Sequence, residues 1–244
     1  RYMALQNPHL VQIKGAQFKV DKSGNHHITS IAMEYFKGAQ SLDKVFRIER
    51  IRQRANQRTL FGRVKVLLKF SSPITLKEKW NIARQVARGL AYLHEKGLVH
   101  DDIQLKNILY NRLKHQAKLC DIDSAMPVGT LRNSLEIFFC PAPEVVTQVP
   151  QQVPRTLKTD AWMYGYFLCD LFSNGNDDIF NRIQNAMREF YSGKLLNLGE
   201  RLYNILDPAQ KNTVLKSILE GLFQRVPSQR ITVGEVVEML SSKK

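Results

Sequence analysis

Between residues 97 and 109 the chain reads GLVHDDIQLKNIL, which places His100, Asp101, Asp102 and Asn107 among branched apolar residues. Two short strands at 107–110 and 117–121 bracket NRLKHQ as a hairpin, and that hairpin would return Asp121 beside Asn107. The grouping would put one acid, Asp102, in front of a substrate. An amide and a second acid, Asn107 and Asp121, would share a hard cation. Mg²⁺ takes oxygen ligands and usually keeps phosphate oxygens and waters in its shell. Phosphoryl transfer is the chemistry that needs this set, because positioning and charge neutralisation supply nearly all of its catalysis. Singly, Asp102 and Asp121 are ordinary turn and strand-end acids; their order is what carries the reading.

Several elements would have to position these residues. Residues 10–20 and 27–36 read as two strands around the turn DKSGNH. After Gly38 the pattern becomes mainly helical. Thr75 and Glu78 form a capping box and Gly97 marks the end of a helix over 76–96, with Leu76, Trp80, Ala83, Val86, Ala87 and Leu90 on its apolar face. Residues 158–172 are apolar nearly all round and predict a central buried helix. Helical patterns follow at about 178–191 and 211–224, and Thr232 with Glu235 caps a last helix to about 241. The segment 44–74 reads both ways, with helix character at 44–56 and the strand-like RVKVLLKF at 63–70.

With 244 residues, 43% of them hydrophobic, the chain can bury a sizeable core. No apolar run reaches the ~18 residues needed to span a bilayer, and no signal peptide opens the sequence. Cys120, Cys140 and Cys169 have no metal-like pairing and lie in apolar contexts, so reduced thiols and a cytoplasmic compartment are expected. The net charge is +14. Residues 44–69 hold nine Lys/Arg against one Glu, a patch that would attract an anionic partner. The plainer reading is a solvated inserted face, and no nucleic-acid motif accompanies it.

HDDIQLKN at 100–107 resembles the catalytic-loop pattern H-R-D-x-x-x-x-N of eukaryotic-type protein kinases, and Asp121 in DID matches the acid of their D-F-G. Ala142, Pro143 and Glu144 reproduce A-P-E. LKTDAWMYGYFLCDLF at 157–172 is similar to the family's central helix, with Asp160 as the residue that holds the catalytic loop. RVPSQRIT at 225–232 resembles the segment whose Arg, here Arg230, pairs with the A-P-E Glu. NPHLVQIKG and AMEYFKGAQSL resemble the fourth strand, and the fifth strand with the hinge. The resemblance covers essentially the whole chain and implies an α+β, protein kinase-like fold. Residues 1–37 would be a partial antiparallel small lobe. Residues 38–244 would be a mainly helical large lobe with a basic insertion at about 44–74. It further implies ATP and Mg²⁺ as cofactors and a Ser/Thr protein substrate. Asp102 would accept the hydroxyl proton, Asn107 and Asp121 would hold Mg²⁺, Met33 would be the gatekeeper, and Glu34, Tyr35 and Phe36 would contact adenine. His100 reads as a packed residue, not a base.

The sequence departs from that pattern at named positions. The glycine-rich loop, the phosphate-binding lysine and the helix with its Glu partner would precede Arg1, so the chain reads as part of something longer. Asp101 replaces an Arg that receives an activation-segment phosphate, and would repel one. Gln104 stands where Ser/Thr kinases place a lysine on the transferring phosphate; its amide can still donate a hydrogen bond. Ile137 replaces a steadying threonine. Ile122 and Asp123 replace Phe and Gly, which adds a carboxylate that could join Asp121 on the metal. Thr130 and Ser134, in what the resemblance makes the activation segment, read equally as ordinary loop hydroxyls and as phosphorylation sites. Two alternatives remain: a pseudokinase-like binding module, suggested by Asp101 and Gln104, and a small-molecule kinase of the aminoglycoside or choline type, suggested by D-x-D.

Overall fold

The computed structural model describes residues 2–21, 23, 26–58, 73–133, 141–146, 152–174 and 176–242. A hairpin comes first: β1 (Ile13–Val20) and β2 (His26–Met33) pair antiparallel from Ile13↔Met33 to Val20↔His26. Both strands stop short of the expected ends on the hinge side. Two-residue β3 (Gln40–Ser41) then runs straight into α1 (Leu42–Arg58). Leu42 and Phe46, one turn apart, are fully buried and Val45 packs on the core. The first part of the basic segment expected as an inserted face is therefore a helix with a core side, and Lys44 and Arg47 lie exposed on its outer face. The strand-like 63–70 lies outside the described residues.

α2 (Leu76–Glu95) starts at the expected capping box: the Glu78 N–H donates to Thr75 Oγ1 at 3.2 Å and the Thr75 N–H to Glu78 Oε2 at 2.8 Å. It buries Ile82, Ala83, Val86, Ala87, Leu90 and Leu93, while Leu76 lies outside that face. Gly97, at φ +69°, turns the chain into β4 (Leu98–Val99); a side chain there would be strained. The expected hairpin comes next as β5 (Ile108–Asn111) and β6 (Gln116–Leu119), paired from Ile108↔Leu119 to Asn111↔Gln116, with β3 on the other edge of β5. The first hairpin is tied to this sheet by backbone bonds from Val11 N–H to Leu119 O (2.9 Å) and Leu119 N–H to His9 O (2.8 Å).

β7 (Met126–Pro127) pairs with β4, and β8 (Leu131–Asn133) with β9 (Gln152–Pro154), the short α3 (Pro143–Val146) lying between them in sequence. α4 (Leu157–Phe172) is the predicted central helix: every residue from Thr159 to Phe172 is buried. The rest is α5 (Asp177–Tyr191), α6 (Leu198–Ile205), α7 (Thr213–Leu222) and α8 (Val233–Ser241), the last on its expected capping box. The small antiparallel sheets and the large helical body make an α+β fold. Among the described residues no helix is long and apolar enough to cross a membrane.

Helix α6 had no forecast in the sequence, and Gly199 in its first turn is the reason. Glycine weakens a helix pattern. Here it lets α6 approach α7, because a Cβ at 199 would sit 2.5 Å from both Glu220 Cα and Leu219 O, atoms that belong to backbone. Gly199→Ala should destabilise the protein by about 1–3 kcal/mol. Gly15→Ala, at a site with nothing within 4 Å, should change stability by less than about 0.5 kcal/mol. Equal denaturant midpoints for the two variants would contradict this packing.

α4 buries two acids. Asp160 lies at its start. Asp170 lies near its end, facing a cleft with Asp43, Arg50, Lys106 and Asp177 on its walls. Burial pushes the Asp170 carboxyl up to about 7, against a smaller opposing pull from Arg50. Between its ordinary 3.8 and that value the folded protein holds a proton that the unfolded chain has lost. The contribution of Asp170 to stability is thus greatest at acid pH and falls as pH rises through 7. Urea midpoints at pH 5 and pH 7 should differ less in Asp170→Asn than in the unmodified chain.

Candidate active site

The loop after β4 is positioned from inside. Asp160, fully buried, accepts the His100 N–H at Oδ2 and the Asp101 N–H at Oδ1, both at 2.8 Å, and His94 Nε2 at 2.9 Å. These donors meet the condition for burying a carboxylate. His100 is also fully buried. Its Nε2 lies 2.9 Å from the Cys120 carbonyl, which can only accept. Its Nδ1 faces the Asp102 N–H at 3.3 Å, which can only donate. The ring is therefore the neutral Nε2–H tautomer and serves as a spacer between two chain segments, as its packed reading implied.

Asp102 carries the exposed end of this arrangement. The Asn107 amide donates to Asp102 Oδ2 and to the Asp102 carbonyl, each at 2.8 Å, across a single 3-10 turn. The Gln104 amide donates to Oδ1, and Lys106 Nζ stands 3.2 Å from Oδ2. Gln104, expected to reach toward a transferring phosphate, is instead turned onto Asp102. Asn107 spends its Nδ2 on Asp102, which leaves its Oδ1 as an oxygen donor.

The hairpin brings Asp121 to this loop through Cys120, whose N–H bonds the Asn107 carbonyl at 2.9 Å. Asp121 sits at φ +65°, a conformation Asp tolerates better than most residues. Its carbonyl accepts from Ser124 Oγ at 2.7 Å, and among the described residues its carboxylate takes no hydrogen bond. Asp102 and Asp121 line one open cleft of about 180 Å³ together with His100, Asp101, Ser124, Arg132 and Arg155. The field there is negative enough to be felt by its neighbour. Burial pushes the Cys120 thiol up to about 11, and Asp121, Asp123 and Asp102 each add to the rise. Asp123, expected as a further metal ligand, lies in the next 3-10 turn and is not part of this lining. Among the described residues no three His, Cys, Asp or Glu groups converge on one metal position. A cation held by Asn107 Oδ1 and Asp121 would need its remaining oxygens from a ligand and water, which suits Mg²⁺ bound with a phosphate.

The hinge segment meets β6 at Lys118. Met33 ends β2 half exposed, the Glu34 N–H bonds the Gln12 carbonyl at 2.8 Å, and Tyr35 is exposed. Lys118 ties the segment down: its Nζ pairs with the Glu34 carboxylate and lies 5.3 Å from the centre of the Phe36 ring. This lysine carried no signal in the sequence.

Two further clusters flank the cleft. Glu144 and Arg230 form the expected pair as a two-pronged one, at 2.9 and 3.0 Å, with Arg230 fully buried, bonded to the Lys158 carbonyl at 2.6 Å and stacked 5.0 Å from Trp162. Asp101 requires a correction. Expected as a lone negative charge that repels phosphate, its carboxylate is paired with both Arg132 and Arg155. Two cations to one anion leave this cluster positive. Neither arginine stood out in the sequence; Ile137, Ser134 and Cys140 lie outside the described residues.

Known proteins are similar to this chain in sequence. The family described as protein tyrosine and serine/threonine kinase matches residues 2–240. A MAP kinase kinase of Saccharomyces cerevisiae (MKK1/SSP32) is 32% identical over 174 residues, covering 70% of this chain and 28% of its own length. The serine/threonine-protein kinase PLK4 of Drosophila melanogaster is 26% identical over 168 residues, 68% of this chain and 20% of that protein. The tyrosine-protein kinase transforming protein fms of feline sarcoma virus is 26% identical over 174 residues, 70% and 17%. The chain thus spans less than a third of the length of these relatives. With the loop, the hairpin and the Glu144–Arg230 pair in the order that family uses, and a match over nearly every residue, this chain belongs to the protein tyrosine and serine/threonine kinase family.

Proposed function

We propose that the protein transfers the γ-phosphoryl group of ATP to Ser/Thr hydroxyls of protein substrates, with Mg²⁺ as the metal. The observation that carries this reading is the Asp102 carboxylate, fixed by the Asn107 amide at 2.8 Å and opening onto the cleft it shares with Asp121. Asp102 orients the incoming hydroxyl and takes its proton as the new O–P bond forms and the bond to the ADP oxygen breaks. Asn107 Oδ1 and the Asp121 carboxylate are the residues that would hold the metal, whose bound form supplies charge neutralisation on the phosphate oxygens. Glu34, Tyr35 and Phe36 would meet the adenine. A larger cleft of about 380 Å³, reached past Gln104, Leu105 and Lys106, offers room for a substrate segment beside Asp102. The preference for Ser/Thr over Tyr leans on the Drosophila relative; the viral relative leans the other way.

One observation favours a second reading, a binding module without turnover. Gln104 and Asn107 each occupy one Asp102 oxygen, and position 104 offers no cation to a phosphate. Asp102→Asn in the full-length protein separates the two. Phosphate incorporation should fall by about 10²–10⁴-fold with Mg²⁺-dependent nucleotide binding retained. Asp121→Asn should weaken that binding itself. Incorporation unaltered by Asp102→Asn would refute the catalytic reading, absence of nucleotide binding by the unmodified protein would favour the module, and phosphotyrosine as the product would overturn the Ser/Thr assignment.

A further inference from the structure

Asp101 holds a backbone conformation that side-chain-bearing residues avoid, at φ +70°, with its carboxylate only 9% exposed. Its N–H is already bonded to Asp160. The side chain turns toward two guanidinium groups, Arg132, 1% exposed at its side chain, and Arg155, 16% exposed. Both come from one ribbon. Arg132 lies opposite Val153 in the β8–β9 pair, and the ribbon closes with the Arg155 N–H on the Thr130 carbonyl and the Gly129 N–H on the Arg155 carbonyl, both at 2.9 Å. The ribbon belongs to the stretch between Asp121 and Glu144 and its continuation to α4, and it forms one wall of the cleft that Asp102 opens onto.

Two guanidiniums brought together out of water repel each other and are costly without an anion between them. Forked donors of this kind grip carboxylate and phosphate alike. In this chain the anion is part of the chain, one peptide bond from Asp102. We propose that Asp101 is a built-in counter-anion that pins the β8–β9 ribbon to the loop carrying Asp102, so that this segment is set without an added phosphate. Asp101 is thereby a positioning residue for the transfer, a role that rests on the reading of Asp102 as the proton acceptor. The strained backbone at 101 is the geometry that points the carboxylate at the ribbon.

The test uses the full-length protein and removes the anion while leaving its receptor. Asp101→Ala should melt roughly 10 °C lower than the unmodified protein. Tens of millimolar acetate or phosphate should restore much of that loss, where chloride at equal ionic strength does not. Its kcat should drop by about tenfold or more with the KM for ATP little changed, and should recover with the same anions. Arg155→Gln, the more exposed arm, should stay folded by circular dichroism, lose kcat in the same way and show no anion rescue, because half of the receptor is gone. The melting measurements need no turnover, so a failure of the phosphotransfer reading would leave the clamp itself readable. An Asp101→Ala protein whose melting ignores acetate and phosphate overturns the proposal. So does an unmodified protein that gains as much from phosphate as the variant, since its receptor would then be unfilled, and so does an Arg155→Gln protein with normal kcat.

Discussion

One buried carboxylate organises the front of this molecule. Asp160 sits in the first turn of α4, where the exposed N–H groups and the helix dipole favour a negative charge. It is spent on three donors from two other places: His94 at the end of α2, and the successive backbone N–H groups of His100 and Asp101. Hydrogen bonds to a charged group are worth about 1.5–3 kcal/mol each, so the three together offset the cost of removing an acid from water. The consequence is geometric. With two consecutive amides held by a helix that is itself buried from Thr159 onward, the loop has little freedom in where Asp101 and Asp102 point. Asp101 is committed to its left-handed turn, and Asp102 opens onto the cleft.

The same few residues of α4 also fasten the segment across the cleft. Arg230 reaches from the chain before α8 to the Lys158 carbonyl, two residues before Asp160, and its fork closes on Glu144. Trp162, one turn further on, stacks against the guanidinium. A buried guanidinium with two carbonyls, a bidentate carboxylate and an aromatic face has its donors satisfied, which is the condition under which such a charge is tolerated in a core. The start of α4 is thus the shared abutment for the loop with Asp102 and, through Arg230, for Glu144, while the ribbon is held through Asp101.

Much of this was legible because it depends on local chemistry. Capping boxes at Thr75/Glu78 and Thr232/Glu235 act within four residues, the apolar run of α4 announces its burial, and a hairpin with a polar turn predicts that residue 121 returns to the side of residue 107. The expected Glu144–Arg230 and Asp160 anchors came from the order of several motifs, each too short to carry the reading alone. The hidden features depend on distant partners or on competing signals. Leu42 and Phe46 are masked by the basic residues around them, so the core side of α1 read as an inserted surface. Gly199 silences the helix pattern of α6 for a packing reason that only α7 reveals. Arg132 and Arg155 look like any surface arginines until β8 and β9 pair, and the sign of the field at Asp101 reverses once they do. Lys118 is the same case: its partners Glu34 and Phe36 lie on a segment that reaches it only through the sheet.

That reversal bears on how a strongly basic chain can present an acidic cleft. Asp101, Asp102 and Asp121 line one opening together with Arg132 and Arg155. Three carboxylates against two guanidiniums leave a small net negative charge on this wall, with the positive part held back by Asp101. Without the arginines, three acids in so small a volume would repel one another. With the arginines tied to Asp101, Asp102 keeps only amide donors and the nearby Lys106 ammonium on its oxygens. Under the proposed reading, a dication would tip the wall from slightly negative to positive only when it arrives, which favours a metal-bound polyphosphate over either component alone. The arginine pair therefore does two things with one set of contacts: it fixes the ribbon mechanically, and it sets the charge of the cleft close to the point where one bound cation changes its sign.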